Sequence, residues 1–334
     1  MREVVLQEPR SLEVREAAEP AAAGDALVRL RYAGICGSDL SAYRGRSSLV
    51  SYPRVLGHEL LVDVEVAPSR PELIGRRAVV EPLMPCGRCR VCRAGRYNCC
   101  PELQVLGVHV DGGLRELMPL ATAQLFEVPD GMSDEMAVLA EPVSIAYRAV
   151  QRSGIDAGKT AVILGAGAIG LLVAQLLLNG RGCRVVVIDI DQWRLQIAGA
   201  VGAITLSGSP ADLITAVAEI TEGCLADVVF EATGNPSCTR LTTDLVAHTG
   251  RIVLIGWNQG PVEVDTVSLM RKEAEIVGSR NSTGAFPAIL QLLGSSIIDA
   301  SLMITHRFPL AEAPKALELL DRGERALKIL VAGR

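Results

Sequence analysis

Residues 160–191, TAVILGAGAIGLLVAQLLLNGRGCRVVVIDID, restrict the fold more than any other stretch. A short apolar run at 162–164 leads directly into Gly165-Ala-Gly167-Ala168-Ile169-Gly170. An apolar helical run to about 178 and a second apolar run at 185–188 follow. Strand, glycine turn, helix and strand in that order make half of a dinucleotide-binding fold. Gly165 permits the tight turn, Gly167 lets the backbone approach a pyrophosphate, and Gly170 lets the helix close on the strand. The free amides at the helix start, around Ala168 and Ile169, favour phosphate, and the helix dipole adds to this. Asp189 ends the second strand, 19 residues after Gly170. A carboxylate there binds both ribose hydroxyls and repels a 2′-phosphate, which predicts NAD rather than NADP. Asp191 reads as a helix cap. Arg194, one turn into the next helix, and Thr233 complete the expected cofactor contacts.

Two other readings compete for this stretch. Glycines cluster in many turns, so the motif alone is weak; its strength lies in the ordered strand, helix, second strand and acid. No charge lies between Lys159 and Arg181, a run long enough to cross a bilayer. Three glycines in mid-run, the polar Gln175 and Asn179, and the apolar strand that follows argue instead for burial beneath a parallel sheet.

At 334 residues, two domains are expected. A 49% hydrophobic fraction with 21% charged residues is that of a chain able to bury a core. The net charge of −5 and the lack of any basic run exclude nucleic acid as the expected partner. The first residues, MREVVLQEPRSLEVRE, have no apolar core of a secretory signal. Nine cysteines then point to reduced thiols and metals in a cytoplasmic protein.

Residues 1–143 read as β-rich, with strands expected at 3–6, 26–33, 59–67 and 77–82 and a turn over 19–25. From 144 to 284 helices and strands alternate. Strands are expected at 162–164, 185–188, 203–206, 227–231, 251–255 and 276–277, with helices at 192–201, 211–220 and 239–246. Residues 285–334 carry two amphipathic helical segments and are expected to return to the first domain.

The densest metal pattern is Cys86-x2-Cys89-x2-Cys92-x7-Cys100. Four thiolates in one loop match a closed, tetrahedral structural zinc site. Cys99 is spare, and exchange of Cys99 for Cys100 stays open. A CxxC redox pair leaves Cys92 and Cys100 without a role, and disulfides suit a reducing compartment poorly. Arg88, Arg90, Arg93 and Arg96 either offset the charge of the thiolates or form a solvated face. A second set is dispersed: Cys36 in GICGSD, His58 and Glu59 in GHE, and Glu141 in AEP. Each alone reads as an ordinary core or structural residue. Only their combination with a dinucleotide fold suggests a catalytic zinc.

These motifs in this order, with YPRVLGHE, LGVHVDGG, AEPVSIAYRAV and MITHRFPLAEAPKALELL, resemble the zinc-containing medium-chain dehydrogenase/reductase family. The resemblance covers essentially the whole chain and is strongest to the polyol and sugar-acid branch, which carries Glu at the Glu141 position. It implies a GroES-like catalytic domain and a doubly wound Rossmann domain, with the active site in the cleft between them. It also implies zinc on Cys36 and His58, with Glu59 and Glu141 as ligands or exchangeable ligands, and a homodimer or homotetramer. Zinc makes a bound alcohol more acidic, and the alcohol carbon then passes hydride to the nicotinamide. Ser38 resembles the hydroxyl that takes the alcohol proton, and Asp39 a group orienting His58. Many relatives carry His three residues after that serine; here it is Ser41, so the proton exit is open between ribose and water, Glu59 and Glu141.

Weaker candidates are His109, which either faces substrate or bonds backbone, and Tyr43 and Arg280-Asn281, which fall where the family's substrate and nicotinamide ends meet. Arg44, Arg46 and Arg54 can meet an anion but suit a charged loop face better. His248 and His306 carry no usable pattern. The resulting expectation is an NAD- and zinc-dependent oxidation of a secondary alcohol on a polyol, sugar acid or cyclitol. The alternatives are a threonine-like or aminocyclitol dehydrogenase and, in another class, a non-catalytic zinc- and NAD-binding protein.

Overall fold

The computed structural model describes residues 1–20, 25–258 and 260–333. The expected turn over 19–25 falls partly outside them. The chain divides into two units. The first comprises Met1–Glu141, Thr283–Gly294 and Ala300–Arg334, and the second Pro142–Ser282 and Ser295–Asp299. Ser295–Asp299 thus group with the second unit, inside a stretch expected to belong wholly to the first. They are tied there by bonds from the Asp299 amide to Gln175 Oε1 (2.7 Å) and from Asn179 Nδ2 to the Ile297 carbonyl (2.9 Å).

In the first unit, alternating apolar residues build a seven-stranded sheet. The strand Ala26–Ile35 lies at its centre, antiparallel to Glu59–Val66 on one side and to Lys328–Ala332 on the other. Its buried residues Ala26, Val28 and Leu30 alternate with more exposed ones, so one sheet face meets the core. That core includes Val62, Val64, Val80, Met118, Ile329 and Val331, and is almost purely aliphatic. The last strand, Lys328–Ala332, was absent from the expected set. A three-stranded sheet and a short two-stranded one complete the unit.

The second unit holds a six-stranded parallel sheet. Its order across the sheet is Ile204–Leu206, Arg184–Ile188, Thr160–Leu164, Ala226–Glu231, Val246–Leu254 and Glu275–Gly278. The reversal of strand order lies between Thr160–Leu164 and Ala226–Glu231, the place where doubly wound sheets bind ligands. The helix Ala168–Arg181 is buried along most of its length and ends where Gly182 turns left-handed at φ 63°. No helix among the described residues is long and apolar enough to cross a membrane.

Side-chain caps explain several helix starts. Asp191 accepts from the Trp193 amide at 2.9 Å, and Ser209 with Asp212 forms a capping box. Asn235 caps Pro236–Leu245, so that helix begins three residues before its expected start at 239. The next strand begins at Val246 rather than 251, with a register shift between Ala226 and Val228 of its neighbour.

Candidate metal centres and dinucleotide site

Strand register assembles the first candidate centre. Gly34 pairs with Glu59 across one ladder, and Ile35 with Ile329 across the other. Cys36, just past Ile35, His58, just before Glu59, and Lys328, just before Ile329, therefore meet at one end of three adjacent strands. Ligand atoms of Cys36, His58 and Glu59 lie within 4.8 Å of one another. Glu141, near the start of the helix Ala140–Ser153, is buried but is not one of that close group.

Around His58 the polar contacts are sparse. Its Nδ1 is buried without a hydrogen-bond partner among the described residues, 3.6 Å from Asp39 Oδ1. Its Nε2 stands 3.4 Å from Ser38 Oγ. Asp39 accepts from the Cys36 amide at 2.9 Å and so ties the start of the helix Gly37–Tyr43 to the ligand position. Burial opposes charge on His58, but Asp39 and Cys36 hold its pKa well above the usual histidine range. Burial raises the Asp39 carboxyl as well. It pushes Glu141 up to about 7, with His58 pulling the other way and Glu59 adding to the rise. A thiol, an imidazole and a carboxylate this close, with the buried acids Asp39 and Glu141 nearby, fit a divalent cation.

The sequence reading missed one charged residue of this centre. Lys328 is 2% exposed, and its Nζ lies 2.6 Å from each Glu59 carboxylate oxygen. Burial disfavours its charge, yet Glu59, Cys36 and Glu141 hold its pKa above the ordinary lysine value. Gly34 makes room for the pair: a Cβ there would stand 2.0 Å from Glu59 Oε2. The available signal was a lysine heading the apolar run KILVA, since lysine is almost never buried unpaired.

The second centre is local. Cys86, Cys89, Cys92 and Cys100 bring their sulfurs within 4.8 Å of one another, while Cys99 stays exposed. The Cys89 and Cys92 sulfurs are 3.3 Å apart. Desolvation and the bonds to Cys89 and Cys100 push the Cys92 thiol up to about 12. Four thiolates cannot share this space without a cation among them, and zinc fits.

In the second unit the glycine turn has the expected form. Gly165 sits at φ 102°, and a Cβ on Gly170 would fall 1.9 Å from the Gly165 carbonyl oxygen. Gly167 caps the helix that opens with Ala168, Ile169 and Gly170. Asp189 Oδ2 accepts from the Ala166 amide at 2.6 Å and Oδ1 from the Asp191 amide at 2.9 Å, so this acid also braces the turn. Arg194 Nε lies 3.7 Å from Asp191 Oδ2. The Thr233 hydroxyl donates to Glu231 and accepts from the Asn235 amide, while the residue itself stays exposed.

Several weaker candidates are engaged elsewhere. His109 Nδ1 accepts from the Val105 amide at 3.1 Å, the backbone role foreseen as one alternative. Arg44 is paired with Asp321 and Arg54 with Asp111. His306 Nδ1 lies 3.0 Å from the Thr305 hydroxyl and its ring stacks on Phe308.

Comparison with known proteins decides the family. Residues 22–130 match the alcohol dehydrogenase GroES-like domain, and residues 168–295 the zinc-binding dehydrogenase domain. The chain is 33% identical to the L-galactonate-5-dehydrogenase of Escherichia coli K12, over 95% of this chain and 94% of that one. This chain belongs to the zinc-binding dehydrogenase family. It is also 30% identical to a sorbitol dehydrogenase of Bacillus subtilis 168, covering 99% and 97% of the two chains. A solved short chain alcohol dehydrogenase from E. coli CFT073, complexed with NADH, superposes with a TM-score of 0.94 at 31% identity, over 99% of both chains. As a member of the family, this protein is a zinc-dependent oxidoreductase that uses a nicotinamide dinucleotide.

The Lys328–Glu59 pair generates a test. Lys328→Met leaves a carboxylate buried without its partner and should lower stability by about 3–5 kcal/mol. Lys328→Arg should recover part of that. Urea denaturation of zinc-free protein measures it; equal midpoints for Lys328→Met and wild type would remove the pair from the structural account.

Proposed function

We propose that this protein oxidises a secondary alcohol of a polyol, sugar acid or cyclitol, with NAD as the hydride acceptor. The observation that carries this reading is full-length similarity to an L-galactonate-5-dehydrogenase and a sorbitol dehydrogenase, combined with the close group of half-buried Cys36 and buried His58 and Glu59. Asp189 at the end of its strand supports NAD over NADP.

Cys36 and His58 are the proposed ligands of a catalytic zinc. The hold of Lys328 on Glu59 favours Glu141 as the carboxylate that joins them. Cys86, Cys89, Cys92 and Cys100 would hold a structural zinc. Zinc at the first centre supplies a Lewis acid that makes an alcohol a stronger acid. Asp39 fixes the helix start beside Cys36 and faces the His58 ring. Ser38, beside His58, would relay the alcohol proton, taking it on Oγ as its own hydroxyl proton leaves toward the cofactor ribose and water. Ser41, an unactivated hydroxyl, does not hold it.

Purified protein should carry two zinc ions per chain and reduce NAD with at least one member of a panel of hexitols, hexitol phosphates, aldonates and cyclitols. Cys36→Ala should lose activity while folded, whereas Cys89→Ala should mainly lose stability. Zinc-free protein with full activity, or zinc-loaded protein inert to the whole panel, would overturn the proposal.

Ser38→Ala should slow kcat by about two orders of magnitude or more, the scale of a positioned proton-transfer group, with Ser41→Ala mild. Rates against pH for both variants test this, and a near-normal Ser38→Ala profile would move the relay to a carboxylate or water. Asp189→Ser should weaken NAD and narrow its advantage over NADP. If the wild type prefers NADP at equal subsaturating concentration, the assignment of Asp189 is wrong.

A further inference from the structure

Two acids flank the glycine turn, and they differ in what they can reach. Asp189 ends one neighbour of the strand Thr160–Leu164, and Glu231 ends the other. Glu231 is 1% exposed, so it cannot itself contact a ligand. Its carboxylate accepts the Thr233 amide at 2.8 Å and the Thr233 hydroxyl, and the Gly234 amide stands 3.1 Å from both of its oxygens. Its main-chain carbonyl takes the amides of Ile255 and Gly256, both at 2.9 Å. One residue thus clasps the turns that follow two adjacent strands.

The first of those turns lies against the glycine turn, and the second against the first, with little side chain between them. A Cβ on Gly165 would meet the Thr233 methyl at 2.8 Å. A Cβ on Gly256 would meet the Gly234 nitrogen at 2.1 Å and Glu231 Oε2 at 2.8 Å. Gly234 itself is left-handed, at φ 67°. An acid at the phosphate-binding end of a sheet works against phosphate by like charge. What it provides in return is acceptor capacity, since only a carboxylate takes this many donors without offering one.

We propose that Glu231 is a positioning residue for the cofactor. It sets the turn Ala232–Gly234 against Gly165 and thereby holds the shape of the glycine turn on which a pyrophosphate would rest. Thr233 acts through its methyl group and its bond to Glu231, and its hydroxyl is not a cofactor donor. This rests on the reading of residues 165–170 as a dinucleotide site.

The test uses Glu231→Gln and Thr233→Val in the zinc-loaded protein. Glutamine keeps the shape of glutamate, but whichever way its amide is turned, an NH2 faces the Gly234 amide, which sits 3.1 Å from both positions. Binding is followed by NADH fluorescence and by titration calorimetry with ADP-ribose and AMP. Glu231→Gln should weaken NADH and ADP-ribose about tenfold or more, the effect of losing a charge-assisted bond, and AMP by much less. AMP carries the ribose that Asp189 would recognise but only one phosphate. Thr233→Val keeps a methyl against Gly165 and should weaken the same two ligands by less than Glu231→Gln does. Unchanged NADH and ADP-ribose affinity in Glu231→Gln overturns the proposal, as does an equal loss for AMP, which would mark a general structural role. A larger loss in Thr233→Val than in Glu231→Gln also overturns it, because the hydroxyl would then be the contact. If wild type binds neither NADH nor ADP-ribose, the cofactor reading fails first.

Discussion

The buried ion pair between Lys328 and Glu59 is the interaction on which the first metal centre depends. Removing an ammonium and a carboxylate from water is costly, and the pair persists because both oxygens are within 2.6 Å of Nζ. Three conditions make that geometry possible. The strand Ala26–Ile35 must lie between Glu59–Val66 and Lys328–Ala332, the register must set Gly34 opposite Glu59, and residue 34 must lack a side chain. A slip of one residue on either ladder would turn these side chains to the other face of the sheet. The same register delivers Cys36 and His58, so metal chemistry and sheet stability share one cause.

Carboxylates do a related task in the second unit. Asp189 and Glu231 end the strands on either side of Thr160–Leu164, and each accepts amides from a turn. The turns at the carboxyl edge of a parallel sheet leave such amides free, and an acid at or just past the last strand residue collects them. Gly165, Gly234 and Gly256 then allow neighbouring turns to meet almost backbone to backbone. The conformation of the glycine turn is set as much by these neighbours as by its own three glycines.

The amino-acid sequence by itself determined the dinucleotide fingerprint, the cysteine loop and the separated GICGSD, GHE and AEP motifs. These are legible because their chemistry is local: a tight turn demands glycine, and a four-thiol site in one loop demands a fixed spacing. Helix boundaries were legible where a cap was read, as at Asp191, and less so at Asn235, whose cap moved a helix start by one turn. Only the tertiary structure decided the partners of Glu59, the bond of the Thr233 hydroxyl to Glu231 and the commitment of Arg44 and Arg54 to carboxylates. Glu59 and Lys328 stand 269 positions apart, and no local pattern encodes such a pairing. It exists because a strand near the end of the chain joins the sheet beside the strand that leads into Cys36, and the low dielectric there leaves lysine stable only against an acid.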